Sequence, residues 1–437
     1  MSRNIKSVAV LGAGTMGAGI AALCADNDCD VLLLDISKET AERGLDRILN
    51  GRPPALESPD KVSNIHLGSL EEDLDKIANY DWICEAIIED LEIKRQLFAR
   101  VEACRSDGSI VSSNTSGIRL REITRNMPDR LCKDIAITHF FNPVKLMHLL
   151  EIVPGENTSQ DVIDSLANFC RKKLGKGIVS AKDTVNFIGN RVGCFWILNG
   201  LHCGGDAIDN GIAIEKIDAL MSSPVGLPPT GLYGLVDLIG LDVMDLVAKN
   251  LKNNLSTNDL GYKTSFFPDS QQKMLTRGQL GRKSQGGFYR VRKLEDGSKL
   301  RETFDFKMDT WRDFTAITLD EKHSSLNVIL SEDREGRLCW DIMGQTLLYA
   351  ADLIPEISED IINIDRAMRW GFAWSLGPFE MLDSLNPSKV IQKLESKNMQ
   401  LPKMLEVLKN TETKTFYRNN GSEFLNLNGK YEPVPDE

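Results

Sequence analysis

The sequence has no Cys-x-x-Cys pair, no apolar run of membrane-spanning length and no excess of positive charge. Its nine cysteines are odd in number and scattered. That excludes a disulfide framework and a cysteine-based zinc site, and it fits free, mostly buried thiols in a reducing compartment. A formal charge of −11 argues against nucleic-acid binding and against adhesion to anionic membranes. An anionic ligand would have to be met by a local basic patch. No membrane-spanning segment is expected. Met1-Ser-Arg-Asn-Ile-Lys6 leads straight into an apolar strand and leaves no room for a signal or transit peptide, so a cytoplasmic protein is the expectation. What is present, 42% hydrophobic and 26% charged residues over 437 positions, suits a globular chain of two or three domains.

The first twenty residues carry a strong local signal. The strand-like Val8-Ala-Val-Leu11 runs into Gly12-x-Gly14-x-x-Gly17 and then into a helical pattern. Gly12 permits a tight turn, Gly14 lets backbone approach a pyrophosphate, and Gly17 allows helix and strand to pack closely. Thr15 and Met16, at the start of the helix, are candidate cofactor-binding residues, since a helix N-terminus attracts phosphate charge. A second apolar strand, Val31-Leu-Leu-Leu34, ends at Asp35, eighteen residues after Gly17. An acidic side chain there accepts hydrogen bonds from a ribose 2′-hydroxyl and repels a 2′-phosphate, so NAD is favoured over NADP. The alternative is a strand–helix–strand unit whose glycines serve packing alone.

Up to about residue 180, short strands alternate with helical patterns, the signature of a doubly wound, mostly parallel sheet. Strands are expected at 7–11, 31–35, 82–85, 110–113, 135–139 and 149–153, with helices at 39–49 and 89–105. Beyond Asp183 the chain reads as helical, over 186–210 and 213–221. An internal repeat emerges in this half. Ile217-Asp218-Ala-Leu-Met221 is followed by Leu235-Val-Asp237, and Ile364-Asp365-Arg-Ala-Met368 by Met381-Leu-Asp383, with the paired aspartates 19 and 18 residues apart. Polar Arg290–Lys307, with its Asp296-Gly297 turn, is the expected link between the copies.

Thr138-His139-Phe-Phe-Asn-Pro143 closes a predicted strand, at the sheet edge where ligands of such folds bind. A histidine there can take a hydroxyl proton while hydrogen leaves the same carbon. Twelve residues on, Glu151 lies in a further strand that could return antiparallel and set its carboxylate on the other imidazole nitrogen. A hydrogen-bonded strand-end histidine with a solvated Glu151 is the plainer alternative. The plainer readings of Ser116 and Asn190 are helix caps, and of Lys94 a solvated side chain.

Together, Gly12–Ile20, Glu85-Ala-Ile-Ile-Glu-Asp90, Ser113-Asn-Thr-Ser116, His139–Pro143, Asp183-Thr-Val-Asn-Phe-Ile-Gly-Asn-Arg191 and Gly281-Arg-Lys-Ser-Gln-Gly-Gly-Phe-Tyr289 resemble the 3-hydroxyacyl-CoA dehydrogenase family. Met368–Glu380 resembles the second helical domain of its long bacterial members. The resemblance implies a Rossmann domain over 1–182, a first helical domain over 183–300, a linker over 301–325 and a second helical copy over 326–430. It implies NAD as cofactor and oxidation of an L-3-hydroxyacyl-CoA to the 3-ketoacyl-CoA in fatty-acid β-oxidation. His139 would be the base and Glu151 its orienting partner, with Ser116 and Asn190 on the substrate's 3-oxygen. Glu89, Lys94, Ser116, Asn142 and Lys283 match positions that touch NAD in relatives. A dehydrogenase of a free 3-hydroxy acid, or a non-catalytic NAD-binding member, are the alternatives.

The chain departs from the family at Val185, where relatives usually carry Pro, and at Gly117, where short members often have Ser. Between Asp35 and Pro53 it has one helix where many relatives have a longer extension that shields CoA. Arg43, Arg47 and Arg52 on that side could meet CoA phosphates or simply be solvated. A crotonase-like sequence is lacking, and Pro433-Val-Pro-Asp-Glu437 reads like a linker. The expectation is a stand-alone dehydrogenase, or the dehydrogenase part of a protein with a hydratase module or subunit. It is either a monomer whose two helical copies mimic a dimer, or a homodimer.

Overall fold

A computed structural model describes residues 3–51 and 54–436, so Arg52 of the basic cluster and the terminal Glu437 lie outside the described residues. The chain forms two compact units, one running to Ile188 and the other from Gly189 to Pro435. Among the described residues no helix is long and apolar enough to cross a membrane.

The first unit is a doubly wound α/β sheet. Its strands are β1 (Ser7–Leu11), β2 (Asp30–Asp35), β3 (Ile65–Ser69), β4 (Trp82–Glu85), β5 (Ile110–Ser113), β6 (Ile135–Phe140), β7 (Leu149–Pro154) and β8 (Gly177–Ser180). They lie in the order β3-β2-β1-β4-β5-β6-β7-β8, and all pairs are parallel except β6 with β7. Helices α1 (Thr15–Asp26), α2 (Lys38–Asn50), α3 (Leu91–Cys104), α4 (Leu120–Ile123), α5 (Asp129–Asp134) and α6 (Gln160–Lys172) connect them. Val8–Leu11 of β1 and all of β4 are buried, which is why the central strands read as continuous apolar runs. The sequence pattern missed β3 and β8. These are the two edge strands, and their mixed burial leaves little periodic signal.

The second unit opens with α7 (Gly189–Asp209), α8 (Ile214–Leu220), α9 (Gly231–Ile239), α10 (Leu241–Asn254), α11 (Leu260–Thr264) and α12 (Asp269–Thr276). Strands β9 (Tyr289–Lys293), β10 (Lys299–Asp305) and β11 (Thr310–Asp313) follow as an antiparallel sheet. This sheet occupies the polar stretch expected to be a linker, which corrects that reading. Arg290 and Arg292 pair with Glu302 on adjacent strands, while Thr303 and Phe304 are buried. The polar stretch is therefore a paired sheet with Glu302, Thr303 and Phe304 buried at its centre. The remainder comprises α13 (Arg334–Cys339), a π-helical turn (Trp340–Gly344), α14 (Gln345–Asp352), α15 (Ile361–Gly371), α16 (Pro378–Ser384), α17 (Pro387–Ser396), α18 (Lys403–Lys409) and the small sheet β12 (Tyr417–Arg418), β13 (Glu423–Leu425) and β14 (Tyr431–Pro433).

The two repeated aspartate pairs make the same hydrogen bonds. Asp218 accepts from the Tyr233 and Gly234 amides and the Tyr289 hydroxyl, and Asp365 from the Phe379 and Glu380 amides and the Tyr417 hydroxyl. Asp237 accepts from the amides of Phe288 and Tyr289, and Asp383 from those of Phe416 and Tyr417. In each copy one carboxylate caps a helix start and the other ties the following strand back to the helices.

Candidate active site

His139 is the penultimate residue of β6, at the carboxyl edge of the sheet. The antiparallel pairing of β7 sets Glu151 directly opposite it in register. Nδ1 of His139 lies 2.6 Å from a Glu151 carboxylate oxygen, with 3% of the imidazole and none of the carboxylate exposed. A carboxylate accepts only, so Nδ1 must donate and the neutral imidazole keeps its lone pair on Nε2. That nitrogen has no partner among the described residues. The other Glu151 oxygen accepts from the Ile188 amide at 3.0 Å. Asn186 and Phe187 just before it have φ of +61° and +49°, a left-handed turn costly for an aromatic residue. The turn brings that amide to Glu151 and the Phe187 ring to 5.6 Å from the imidazole, with the Phe141 ring at 4.5 Å.

Ser116 sits on the loop after β5. Arg119, not Ser116, is the N-cap of α4, whose Leu120 and Arg121 amides are bound by Asp183 at 2.5 and 2.9 Å. The Ser116 side chain is exposed, and its amide is held by Glu89 at 3.0 Å, as are the Gly117 amide and the Thr115 hydroxyl. Glu89 in turn lies 3.4 Å from Lys94. Lys94 is buried rather than solvated, because its ammonium donates to Glu85 at 2.6 Å inside the unit. Glu85 also accepts from Ser113. Sequence reasoning missed Glu85 as a site residue, although an acid ending the apolar strand Trp82-Ile-Cys-Glu85, nine residues before Lys94, was its visible signal. Asn114 accepts from the Phe140 amide and so joins this loop to the strand end that bears His139.

The glycine turn has the expected shape. Gly12 has φ +109°, and a Cβ on Gly17 would stand 1.8 Å from the Gly12 carbonyl oxygen. At Gly14 a Cβ would meet nothing within 4 Å, so open space faces the backbone where a pyrophosphate would approach. Gly14 is the N-cap of α1 and makes no side-chain cap, leaving the first amides, including those of Thr15 and Met16, to a ligand. Asp35 accepts from the Ala13 and Ile36 amides at 2.5 and 2.7 Å, which ties it to the turn. Arg47 donates to the Ala13 carbonyl at 3.0 Å, so it braces the glycine turn, whereas Arg43 is exposed. These residues fit a dinucleotide.

Between the turn and the loop after β6 lies an apolar cavity of about 660 Å³, lined by Thr15, Ala18, Ile48, Pro54, Asn142 and Leu146 among others. Asn142 is exposed on that loop. The loop is fixed by Lys176, another residue missed from sequence. Its buried ammonium donates to the carbonyls of Val144 and Met147, and desolvation lowers its pKa to about 8. Asn190 and Lys283 lie on the second unit. Asn190 is within the first turn of α7, half-buried and with no side-chain hydrogen bond among the described residues. Lys283, on a short turn, is ion-paired with Asp242 at 2.5 Å.

A doubly wound sheet with a glycine turn at the carboxyl end of its first strand defines a dinucleotide-binding protein. Residues 7–184 match the family 3-hydroxyacyl-CoA dehydrogenase, NAD binding domain, and residues 187–291 match 3-hydroxyacyl-CoA dehydrogenase, C-terminal domain. A relative from Deinococcus radiodurans named Probable 3-hydroxyacyl-CoA dehydrogenase is 35% identical over 67% of this chain and 84% of its own length. One of the same name from Bacillus subtilis is 35% identical over 100% of this chain. The crystal structure of 3-hydroxybutyryl-CoA dehydrogenase from Escherichia coli superposes with a TM-score of 0.69 at 25% identity, covering 90% of this chain and 94% of that one. The chain belongs to the 3-hydroxyacyl-CoA dehydrogenase family, and its first unit is an NAD-binding domain. It spans 58% of the length of the Bacillus subtilis relative.

Proposed function

We propose that this cytoplasmic chain oxidises an L-3-hydroxyacyl-CoA to the 3-ketoacyl-CoA with NAD, as in fatty-acid β-oxidation. The observation that carries the reading is the buried His139–Glu151 pair with Nε2 left free at the carboxyl edge of an NAD-binding sheet. Nε2 takes the proton of the substrate's 3-hydroxyl. The Glu151 carboxylate holds the ring in the right tautomer and offsets the charge that arrives on it. Ser116, its loop pinned by Glu89, offers its hydroxyl to the 3-oxygen, and Asn190 contributes its amide to the same oxygen. The Gly12–Gly17 turn, Thr15, Met16, Asp35, Glu89, Lys94, Asn142 and Lys283 are assigned to NAD. Bound NAD supplies the acceptor for the hydrogen and electron pair that leave the substrate's C3.

The test is His139→Gln. Reduction of acetoacetyl-CoA by NADH is expected to fall by about three orders of magnitude or more, with NADH affinity unchanged. Near-normal turnover would overturn the assignment. Activity on acetoacetate, with none on its CoA thioester, would move the substrate to a free 3-hydroxy acid.

A further inference from the structure

Asn190 is followed by the most heavily bonded buried cation of the second unit. Arg191 is 2% exposed, within the first turn of α7. Its Nε donates to the Tyr349 hydroxyl oxygen at 2.6 Å, and its Nη2 donates to Glu356 at 2.9 Å and to Asp259. The Tyr349 hydroxyl donates on to Asp259 at 2.8 Å. Asp259 belongs to the first helical copy, but Tyr349 and Glu356 belong to the second.

The contacts continue down α7. The Phe195 and Tyr349 rings are 4.2 Å apart, and Trp196 meets Trp374 edge-on at 6.1 Å. A Cβ on Gly193 would fall 2.2 Å from the Phe372 ring, so that glycine exists to admit an aromatic from the second copy. Asn199 donates to the Asp341 carbonyl at 2.7 Å. The planar guanidinium fork fixes direction as well as distance, which an ammonium would not.

We propose that Tyr349 and Glu356 of the second helical copy are positioning residues for Asn190, acting through Arg191. The inference rests on the substrate-contacting role assigned to Asn190 above. It gives the second copy, which carries none of the assigned site residues, a part in the reaction. It fixes the rotation of the helix turn from which Asn190 projects, and displacement of a catalytic amide by about 1 Å costs on the order of a hundredfold in rate.

The experiment is a double-mutant cycle in the full chain with acetoacetyl-CoA and NADH. Wild-type turnover and its loss in Asn190→Ala test the functional reading by themselves. Tyr349→Phe keeps the ring packing and removes the hydroxyl, and Glu356→Gln keeps the shape and removes the charge. Each is expected to lower kcat by about tenfold to a hundredfold, with NADH affinity within about twofold of wild type. In the Asn190→Ala background the additional loss should shrink to about twofold or less. A kcat within twofold of wild type in both single variants, or losses that multiply in full with Asn190→Ala, would overturn the proposal. An Asn190→Ala variant of undiminished activity would overturn it as well, by removing the residue to be positioned.

Discussion

Replacing Glu151 by Gln separates the charge of the His139 partner from its shape. The side chain is fully buried, one oxygen toward Nδ1 at 2.6 Å and the other accepting from the Ile188 amide at 3.0 Å. Gln is nearly isosteric. Its carbonyl oxygen satisfies the Ile188 amide, which leaves its NH2 facing Nδ1. An NH2 only donates there, so Nδ1 must accept and the imidazole proton moves to Nε2. The nitrogen that should take the substrate proton then already carries one. In a comparable carboxylate–histidine pair the wrong tautomer lowers kcat by about 10⁴. At about 1.4 kcal/mol per decade this is roughly 5 kcal/mol of lost barrier lowering. Glu151→Ala is the poorer probe, because it also orphans the Ile188 amide at about 1–3 kcal/mol and leaves a hole. The assay is the fall in NADH absorbance on adding acetoacetyl-CoA, with NADH affinity read from fluorescence titration. Glu151→Gln should lose about three to four decades of kcat and bind NADH within about twofold of wild type. A kcat within tenfold of wild type would refute the reasoning, since the carboxylate could not then be setting the tautomer.

The two inner glycines should part company. Gly14→Ala meets open space at φ −65° and should leave the melting temperature nearly unchanged while weakening NADH binding about tenfold or more, whereas Gly17→Ala drives a methyl into the Gly12 carbonyl and should cost about 3 kcal/mol or more in denaturant melts. Lys94→Met strands the Glu85 carboxylate without its buried counter-charge and should cost about 3–5 kcal/mol by the same measurement. Burial raises Asp237 to about 6 and pushes Asp365 well above the usual carboxylate range. Native protein then holds more protons than unfolded chain between about pH 4 and 6, so this stability is present below about pH 4 and lost as pH rises through 6. For Asp237 the loss is about 3 kcal/mol, and urea midpoints of the second unit should be higher at pH 5 than at pH 8.

Local chain chemistry alone settles several features. The glycine turn follows from residues whose missing side chains are needed within a few positions of one another, and Asp35 from its place at the end of an apolar strand. The central strands are legible because both faces are buried. The aspartates of the two helical copies announce themselves through similar flanking patterns. Sequence also nominates His139 and Glu151, and an antiparallel return was conceivable from twelve residues of separation. What it lacked were the partners that distance in sequence hides. Lys94 reads as a solvated helix residue until Glu85 is found beside it, and Lys176 is an ordinary lysine until the loop carbonyls close around it. The polar stretch after residue 289 reads as a linker because its many charged residues outnumber the buried Thr303 and Phe304. The clamp of Tyr349 and Glu356 on Arg191 joins side chains more than 150 residues apart. Turns and strands are chosen by forces acting over a few residues, so the sequence shows them. Which buried charge meets which countercharge is chosen only when the core closes, because only there does an unpaired charge become too costly to tolerate.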